Sequence, residues 1–568
     1  MRRVRSDPQA IGRLVIIAKE MEVSDHEAAG ITRRTATMMM AATLLPLPAG
    51  AAEAAPIVEL TTGRIRGTRV GPVNRFLGIP YAASIAGRNR FMPPQPVASW
   101  SGIRDALQYG PSSPQQPGSP LSVPFFTVFN TPPSIPNGED CLVLNVWAPA
   151  RPQGKVPVMV WLHGGGFTEG SGSGPAFDGT NLASRGDVIL ITVNHRLGAS
   201  GYTDFSRVVG GPFADSANVG MRDIVAALQW VNRNIAAFGG DPSRVMIFGQ
   251  SGGGGKVSTL LAMPSAKGLF SRAAIMGGPM LRGATTAQAD DVASLMLKEL
   301  GVTKETATQL WEMPIDRIVA AEVRVAALLR GRGAGLSSGF SPVVDGTILP
   351  TNMFDPVAAP TSLSVPTIVG QNATEWLPFS LQDTAAFSMD RPTLEKRSVD
   401  TFGKNGTEMV AIYRRLHPND NPTDTWFRIL SDSVMTGNAV TLADTRSSAG
   451  GAPVFAYRFD WFTRADGGKM RSSHALELPF FFDNATVIAA EITGGGPRAA
   501  RLGKTMSSAW VNFAKTGRPS AATLPAWPIY TPGRRLAMHF DDRSFVAPYV
   551  EPRVAQILKE PRPRVGPF

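Results

Sequence analysis

The stretch that most constrains the fold is residues 245–253, which spell VMIFGQSGG. Four apolar residues rich in β-formers predict a short buried strand. Gly249 and Gly253 stand two residues on either side of Ser251, and residues without a side chain relieve the crowding where a strand turns sharply into a helix. The stretch therefore predicts a strand–turn–helix elbow with the Ser251 hydroxyl exposed at its tip. A glycine-rich surface turn is the alternative.

The segments around this elbow predict a parallel sheet. Residues 156–162 are a continuous apolar run, as expected for a strand that is buried on both faces, and residues 187–193 predict another buried strand. Residues 218–238 have a helical period, because five apolar side chains form one stripe: Ile224, Leu228, Val231, Ile235 and Phe238. A strand over 273–276 follows the elbow. This alternation of strands and helices predicts a parallel sheet with helices on both faces.

The remaining segments fit the same α/β domain. Residues 285–335 have a mostly helical pattern, and they follow the elbow at the place where an inserted cap would lie. Further elements are an edge hairpin over 57–70, strands over 139–147, 365–370 and 453–459, and a late helix over 506–513. Residues 56–568 are therefore predicted to form a single mixed α/β domain with long excursions.

The composition argues against several classes of protein. The chain has 568 residues, of which 43% are hydrophobic and 18% charged, a soluble globular composition. No apolar run reaches the ~18 residues of a membrane span. The net charge of +11 is scattered as single arginines without interleaved aromatics, which argues against nucleic-acid binding and favours a solvated surface, with acidic substrates as a second interpretation. Cys141 is the only cysteine, so an internal disulfide is impossible and a cysteine-based metal site implausible.

Residues 1–55 predict an export signal. The pair Arg33-Arg34 precedes a short apolar run over 36–47, and small residues follow through residue 54. Paired arginines indicate the twin-arginine route, so cleavage and a periplasmic or extracellular location are expected. An amphipathic helix is the alternative. Because residues 1–20 are unusual for such a signal, translation from Met21 is a further hypothesis.

A serine hydroxyl is a weak nucleophile and needs a base beside it. On an elbow of this kind the chain order is serine, acid, histidine, and only His417, His474 and His539 follow Ser251. His417 lies in a polar loop and His539 on a predicted strand. His474 lies in a polar loop that runs into an apolar block, and catalytic groups concentrate on loops. His474 is therefore the predicted base.

The third group must be a carboxylate near the end of a strand between the serine and the histidine. Glu375 meets this condition, because it follows the strand predicted to end at Gly370. Asp345, Asp355 and Asp383 are rivals by position, but each is more easily explained as a turn residue or a helix cap.

Glycines also predict a site for the oxyanion of a tetrahedral intermediate, which needs preorganised amide donors. Residues 164–166 are three glycines directly after a buried strand, between His163 and Phe167. The amide of Gly252 at the helix start adds a donor. A flexible loop is the alternative for the triplet.

These motifs together resemble the type-B carboxylesterase family, nearly end to end after residue 55. The matching segments are 238–242 with 249–253, 139–145, 340–346, 474–480, 510–514 and 527–530. The resemblance implies an α/β-hydrolase fold and a triad of Ser251, Glu375 and His474. It also implies an oxyanion hole at three positions, Gly165, Gly166 and Gly252.

The resemblance further implies two structural charge pairs, Arg90 with Glu139 and Arg196 with Asp223. Three positions depart from the family pattern. Ser113 stands where the partner of the signature cysteine is usual, which leaves Cys141 free; Gln250 replaces a frequent glutamate; and Gly277 replaces a buried serine that would support the acid.

Together these features predict an exported serine carboxylesterase that acts on small ester substrates through an acyl-enzyme. No metal or organic cofactor, no nucleic acid and no stable membrane insertion are implied, and a monomer or homodimer is expected. A lipase or an amide or carbamate hydrolase is the rival among enzymes. A catalytically dead binding protein on the same fold is the rival from another class, but such proteins typically lose a triad residue.

Overall fold

The sheet that carries the site is built on the most apolar segments of the chain. The computed structural model describes residues 54–116, 124–331, 339–558 and 560. The strands in these residues are β1 Ile57–Leu60, β2 Gly63–Arg66, β3 Thr68–Val70, β4 Val73–Pro80, β5 Ile103–Asp105, β6 Val143–Pro149, β7 Val156–Leu162, β8 Ile189–Val193, β9 Gly240–Gln250, β10 Arg272–Met276, β11 Thr367–Asn372, β12 Val454–Phe459, β13 Leu536–Phe540 and β14 Phe545–Pro548.

Within the described residues, eleven of these strands form one sheet in the order β14-β13-β12-β11-β10-β9-β7-β8-β6-β4-β3. The pairs from β8 through β13 are parallel, and the pairs at both edges are antiparallel. Every residue of β7, β8 and β11 is buried, so side chains pointing to either face of the sheet are covered. β7 and β8 are therefore mostly apolar along their length rather than alternating.

Helices flank this sheet. Those in the described residues are α1 Thr180–Gly186, α2 Gly198–Tyr202, α3 Val219–Asn234, α4 Gly252–Leu260, α5 Thr286–Leu300, α6 Ile315–Gly331, α7 Arg391–Phe402, α8 Gly406–Leu416, α9 Pro422–Ser431, α10 Gly437–Ser448, α11 Leu478–Phe481, α12 Ala490–Thr493, α13 Gly496–Thr516 and α14 Pro552–Ile557. The predicted stripe on α3 and the short 3-10 turn after it is buried throughout.

The predicted elements are present with shifted boundaries. β11 extends to Asn372, two residues past Gly370, because Gln371 and Asn372 continue the pairing with Arg458 and Phe459 of β12. The late helix α13 starts at Gly496, ten residues early, after a glycine run that obscured its start. β1 and β2 do form a hairpin, but β2 also pairs with β5, which makes a separate three-stranded sheet.

The strand order explains where a site can form. β7 lies between β9 and β8, so the chain changes direction across the sheet at β7, and ligands bind outside the carboxyl ends of strands at such a point. The register pairs Leu162 with Gly249, Gln250 with Met276, and Met276 with Gly370. The carboxyl ends of β7, β9, β10 and β11 are therefore level with one another.

From residue 55 onward the described residues form one compact unit. The predicted export signal lies outside the described residues except for Ala54 and Ala55. No helix in the described parts of the chain is both long enough and apolar enough to cross a membrane.

Candidate active site

Ser251 lies at a strained turn between β9 and α4. Its φ is +57°, which is uncommon for a residue with a side chain, and it is half-buried. A Cβ added to Gly249 would lie 2.5 Å from the Gly253 backbone, and one on Gly253 would lie 2.0 Å from the Leu162 carbonyl oxygen. Both positions therefore require glycine, as the elbow predicted.

The glycine triplet lies against this elbow. A Cβ on Gly164 would lie 3.4 Å from the Ser251 Cβ, and one on Gly252 would lie 2.0 Å from the Gly166 carbonyl oxygen. Gly165 and Gly166 have positive φ of 83° and 60°, a conformation that suits glycine. The structure thus brings the three glycines predicted for the oxyanion hole to one place beside the serine.

Glu375 and His474 lie on neighbouring loops and are hydrogen-bonded to each other. The Nδ1 atom of His474 bonds Oε2 of Glu375, and both side chains are almost completely buried. The other carboxylate oxygen of Glu375 accepts a hydrogen bond of 2.7 Å from the backbone N–H of Asn372. With Nδ1 occupied by the carboxylate, Nε2 is the imidazole nitrogen left to exchange a proton with a nucleophile.

The two loops are held together by further hydrogen bonds. The Thr374 amide donates to the Ser472 carbonyl at 3.1 Å, and the Ser472 amide donates back to the Thr374 hydroxyl at 3.1 Å. The Ser472 hydroxyl donates to the Phe459 carbonyl at the end of β12 at 2.6 Å. The positions of the acid and the histidine are therefore set by the ends of β11 and β12.

Gln250 connects the histidine to the elbow. Its Nε2 lies 3.3 Å from Nδ1 and 3.2 Å from Nε2 of His474, so the amide nitrogen lies over the face of the imidazole ring. A Cβ on Gly277, at the end of β10, would lie 3.0 Å from Gln250 Nε2 and 3.0 Å from Glu375 Oε1. Ser251, the next residue after Gln250, is thereby joined to Glu375 and His474 in one cluster.

Within the described residues, Ser251 and His474 form no hydrogen bond with each other. Such bonds are often long without substrate and tighten in the reacting complex. The predicted triad is therefore brought to one edge of the sheet, with the acid–histidine bond in place.

Glu477, three residues after His474, has no role predicted from the sequence. Its side chain is fully buried and accepts a hydrogen bond of 2.5 Å from Asn372 Nδ2. Burial, and then the charge of Glu375, raise its pKa well above the usual value of a glutamate. Its acidic side chain inside the apolar block after His474 was the sequence feature that could have predicted this buried acid.

Aromatic side chains cover the histidine. The half-buried Phe379 ring lies 5.2 Å from the His474 ring and 4.9 Å from Trp376, measured between centroids. Trp376 is itself buried.

The rival residues have other partners. His539 bonds Asp460 at 2.6 Å, while His417 ends α8, where burial lowers its pKa to about 4. The rival aspartates serve turns and surface ion pairs: Asp345 accepts three backbone amides, Asp355 pairs with Arg282, and Asp383 pairs with Arg397.

Both charge pairs implied by the family resemblance are present. Arg90 contacts Glu139 at 2.7 Å, and Arg196 contacts Asp223 at 2.6 Å with both side chains buried. Cys141 is free and buried, as expected from Ser113 in the place of its usual partner. No group of three or more histidine, cysteine or acidic side chains in the described residues could hold a metal ion.

Comparison with known proteins identifies the family. The carboxylesterase family matches residues 54–564. The para-nitrobenzyl esterase of Bacillus subtilis (strain 168) is 36% identical over 481 residues, covering 84% of this chain and 92% of that protein. The phenmedipham hydrolase of Pseudarthrobacter oxydans is 31% identical over 84% of this chain and 93% of its own. A solved structure of a PNB esterase superposes with a TM-score of 0.72 at 33% identity, covering 89% of this chain and all of that one.

These matches confirm the predicted α/β-hydrolase fold and the predicted class of enzyme, a serine esterase that hydrolyses carboxylic esters. The chain belongs to the carboxylesterase family.

Proposed function

We propose that Ser251, His474 and Glu375 carry out ester hydrolysis in this enzyme, with the glycine loop of residues 164–166 and Gly252 as the oxyanion hole. The observation that carries the proposal is the buried bond between Glu375 and His474, directly beside the strained turn that presents Ser251. The three residues, far apart in sequence, follow the carboxyl ends of β9, β11 and β12 in the parallel part of the sheet, where this fold places its sites.

Each group has a role in acyl transfer. Ser251 Oγ attacks the ester carbonyl carbon while His474 Nε2 takes its proton, and Glu375 stabilises the imidazolium through Nδ1. The oxyanion is stabilised by backbone N–H groups of Gly165, Gly166 and Gly252. The carbonyl–alkoxy bond then breaks, and the alcohol leaves with the proton from His474. A water molecule, deprotonated by His474, attacks the acyl-enzyme and releases the acid and the free serine.

The test is hydrolysis of p-nitrophenyl acetate by wild type and Ser251→Ala. The variant should lose hydrolysis, since no hydroxyl remains to form the acyl-enzyme, and should keep the far-UV circular dichroism of wild type. Ser184→Ala, which removes an exposed hydroxyl bonded only to the backbone of its own helix, is the matched control and should remain fully active. A fluorophosphonate probe should label wild type and not Ser251→Ala. Near-full activity or labelling of Ser251→Ala would refute the proposal.

We infer that the substrates are small esters rather than long-chain triglycerides. The similarity to a para-nitrobenzyl esterase supports this, and Phe379 beside His474 supplies an apolar wall. Hydrolysis of short p-nitrophenyl esters without release of fatty acid from long triglycerides is expected; the opposite preference would identify a lipase. Amides and carbamates form the second candidate class, because a relative named phenmedipham hydrolase indicates that family members differ in what they hydrolyse.

We propose that residues 1–55 are a cleaved twin-arginine export signal and that residues 56–568 are the mature enzyme, a monomer or homodimer found in the periplasm or outside the cell. The basic pair, the apolar run and the small residues support export, and the family match from residue 54 fits a boundary there. N-terminal sequencing of exported protein should start near residue 50 to 56. A start before residue 40 would contradict export. Analytical ultracentrifugation should give the mass of one chain or of two chains.

A further inference from the structure

Lys256 is a fully buried cation close to the site, and the mechanism above does not use it. It lies in α4, five residues after Ser251, with no exposed surface. Its Nζ donates one hydrogen bond, of 2.9 Å, to the His163 carbonyl oxygen. In the described residues no carboxylate forms an ion pair with it, although an unpaired buried charge is costly. A residue this unfavourable to bury needs an explanation beyond packing.

Its contacts are with both ends of the glycine loop. His163 directly precedes residues 164–166 and accepts the hydrogen bond, and Phe167 directly follows them. The Lys256 Nζ lies 5.7 Å from the centroid of the Phe167 ring, within the range of a cation–π interaction. The Phe167 carbonyl in turn accepts a bond of 2.7 Å from the Gly198 amide. One side chain on the nucleophile helix thus contacts the residues on both sides of the loop.

The groups around the ammonium do not neutralise it. The His163 and His195 rings stack at 4.8 Å at the ends of β7 and β8. Burial first, and then the charge of Lys256, lower the pKa of both imidazoles, so both are neutral. The hydrogen bond to the His163 carbonyl also polarises the peptide whose N–H belongs to Gly164, beside Ser251.

We propose that Lys256 is a positioning residue that holds residues 164–166 against Ser251 and Gly252, so that the loop amides are preorganised for the oxyanion. This inference rests on the proposed function, because it assigns a role to Lys256 in that same acyl transfer. A donor that holds a loop of amide groups acts on the transition state and hardly on the bound ester.

The test compares Lys256→Met with Thr259→Val. Thr259 is buried on the same helix, but its hydroxyl bonds the helix's own backbone and Met280, so its removal should leave kcat unchanged. Lys256→Met keeps the length of the side chain without the donor or the charge. We expect kcat on p-nitrophenyl acetate to fall about ten- to a hundredfold with KM within about threefold, the size of effect known for loosened active-site geometry. Affinity for a trifluoromethyl ketone, which forms an oxyanion adduct with the serine, should fall by a similar factor.

Stability separates positioning from folding. Burial lowers the pKa of Lys256 to about 7, so at neutral pH and below the folded protein bears the cost of a buried charge, and Lys256→Met should melt no lower than wild type at pH 7. If Lys256→Met does not fold, the shorter and uncharged Lys256→Gln is measured in its place, and the same fall in kcat is expected. An unchanged kcat, or a fall in kcat that comes with a clearly lower melting temperature, would overturn the role of Lys256. An inactive wild type or an active Ser251→Ala would instead refute the proposed function itself.

Discussion

Glu322 gives a prediction about pH and stability that follows directly from its surroundings. It lies on α6, almost fully buried, and Oε2 accepts a hydrogen bond of 2.8 Å from the Ala199 amide at the start of α2. A Cβ on Gly198 would lie 2.1 Å from both carboxylate oxygens, so the backbone packs directly against the charge. Burial raises the pKa of Glu322 from 4.5 to about 7, and the single amide bond only partly opposes this.

The sign of the effect follows from the raised pKa. The protonated form is favoured in the folded protein, so the contribution to stability is complete below pH 4.5 and is lost as the pH rises through about 7. Moving a pKa by this amount corresponds to roughly 3 kcal/mol at 1.36 kcal/mol per pH unit. At pH 8 the wild-type fold therefore contains a buried carboxylate that costs about 3 kcal/mol relative to a neutral side chain.

The substitution Glu322→Gln keeps a carbonyl oxygen for the Ala199 backbone amide and cannot ionise. The variant should be about 3 kcal/mol more stable than wild type at pH 8, and the difference should shrink to under about 1 kcal/mol near pH 5. For a domain of this size that is a rise in melting temperature of about 3 °C at pH 8. Urea unfolding and thermal melts at both pH values measure it.

Glu312→Gln, at an exposed position just before α6, is the matched control and should show no such dependence on pH. If Glu322→Gln were less stable than wild type at pH 8, the carboxylate would have to be stabilised where it lies, and the raised pKa of Glu322 would be wrong. A difference that does not change with pH would refute it equally.

Three further predictions concern the site and its frame. Glu375→Gln should lower kcat about 10³- to 10⁴-fold, because a neutral amide cannot stabilise the positive charge of the His474 imidazolium. A kcat within tenfold of wild type, measured by steady-state kinetics, would contradict this. Gly253→Ala should destabilise the protein by at least about 3 kcal/mol, because its Cβ would lie 2.0 Å from a backbone oxygen, whereas Gly437→Ala on an open helix position should be neutral in the same melt. Burial raises the pKa of the Cys141 thiol to about 12, so the native protein should not react with a thiol reagent at pH 8 and the unfolded protein should react once; a fast native reaction would show that the thiol is accessible.

Much of the local architecture could be predicted from residue patterns. The bounds of β7 agree with the apolar run 156–162, because a strand buried on both faces needs an apolar side chain at nearly every position. The elbow was equally predictable, since no side chain fits at Gly249 or Gly253. The base and the acid followed from chain order and loop position, and the structure places Glu375 and His474 in contact.

Other features depended on how distant segments pack. Glu375 and His474 are 99 residues apart, and nothing in either segment alone shows that Asn372 binds both Glu375 and the buried Glu477. The stacking of the Gln250 amide on the His474 ring arises only when the ends of β9 and β12 are carried to the same edge of the sheet.

Residue patterns alone were enough to predict the buried strands, the turn that exposes Ser251 and the residue types available for acyl transfer, because these depend on apolar runs and on backbone that tolerates only glycine. The packing of distant segments sets which polar groups are buried together, and hence that Lys256 has no carboxylate partner among the described residues and that Glu322 has a raised pKa. The physical reason is that burial and distance, which set the energy of a charge, are properties of the packed chain and not of any segment of it.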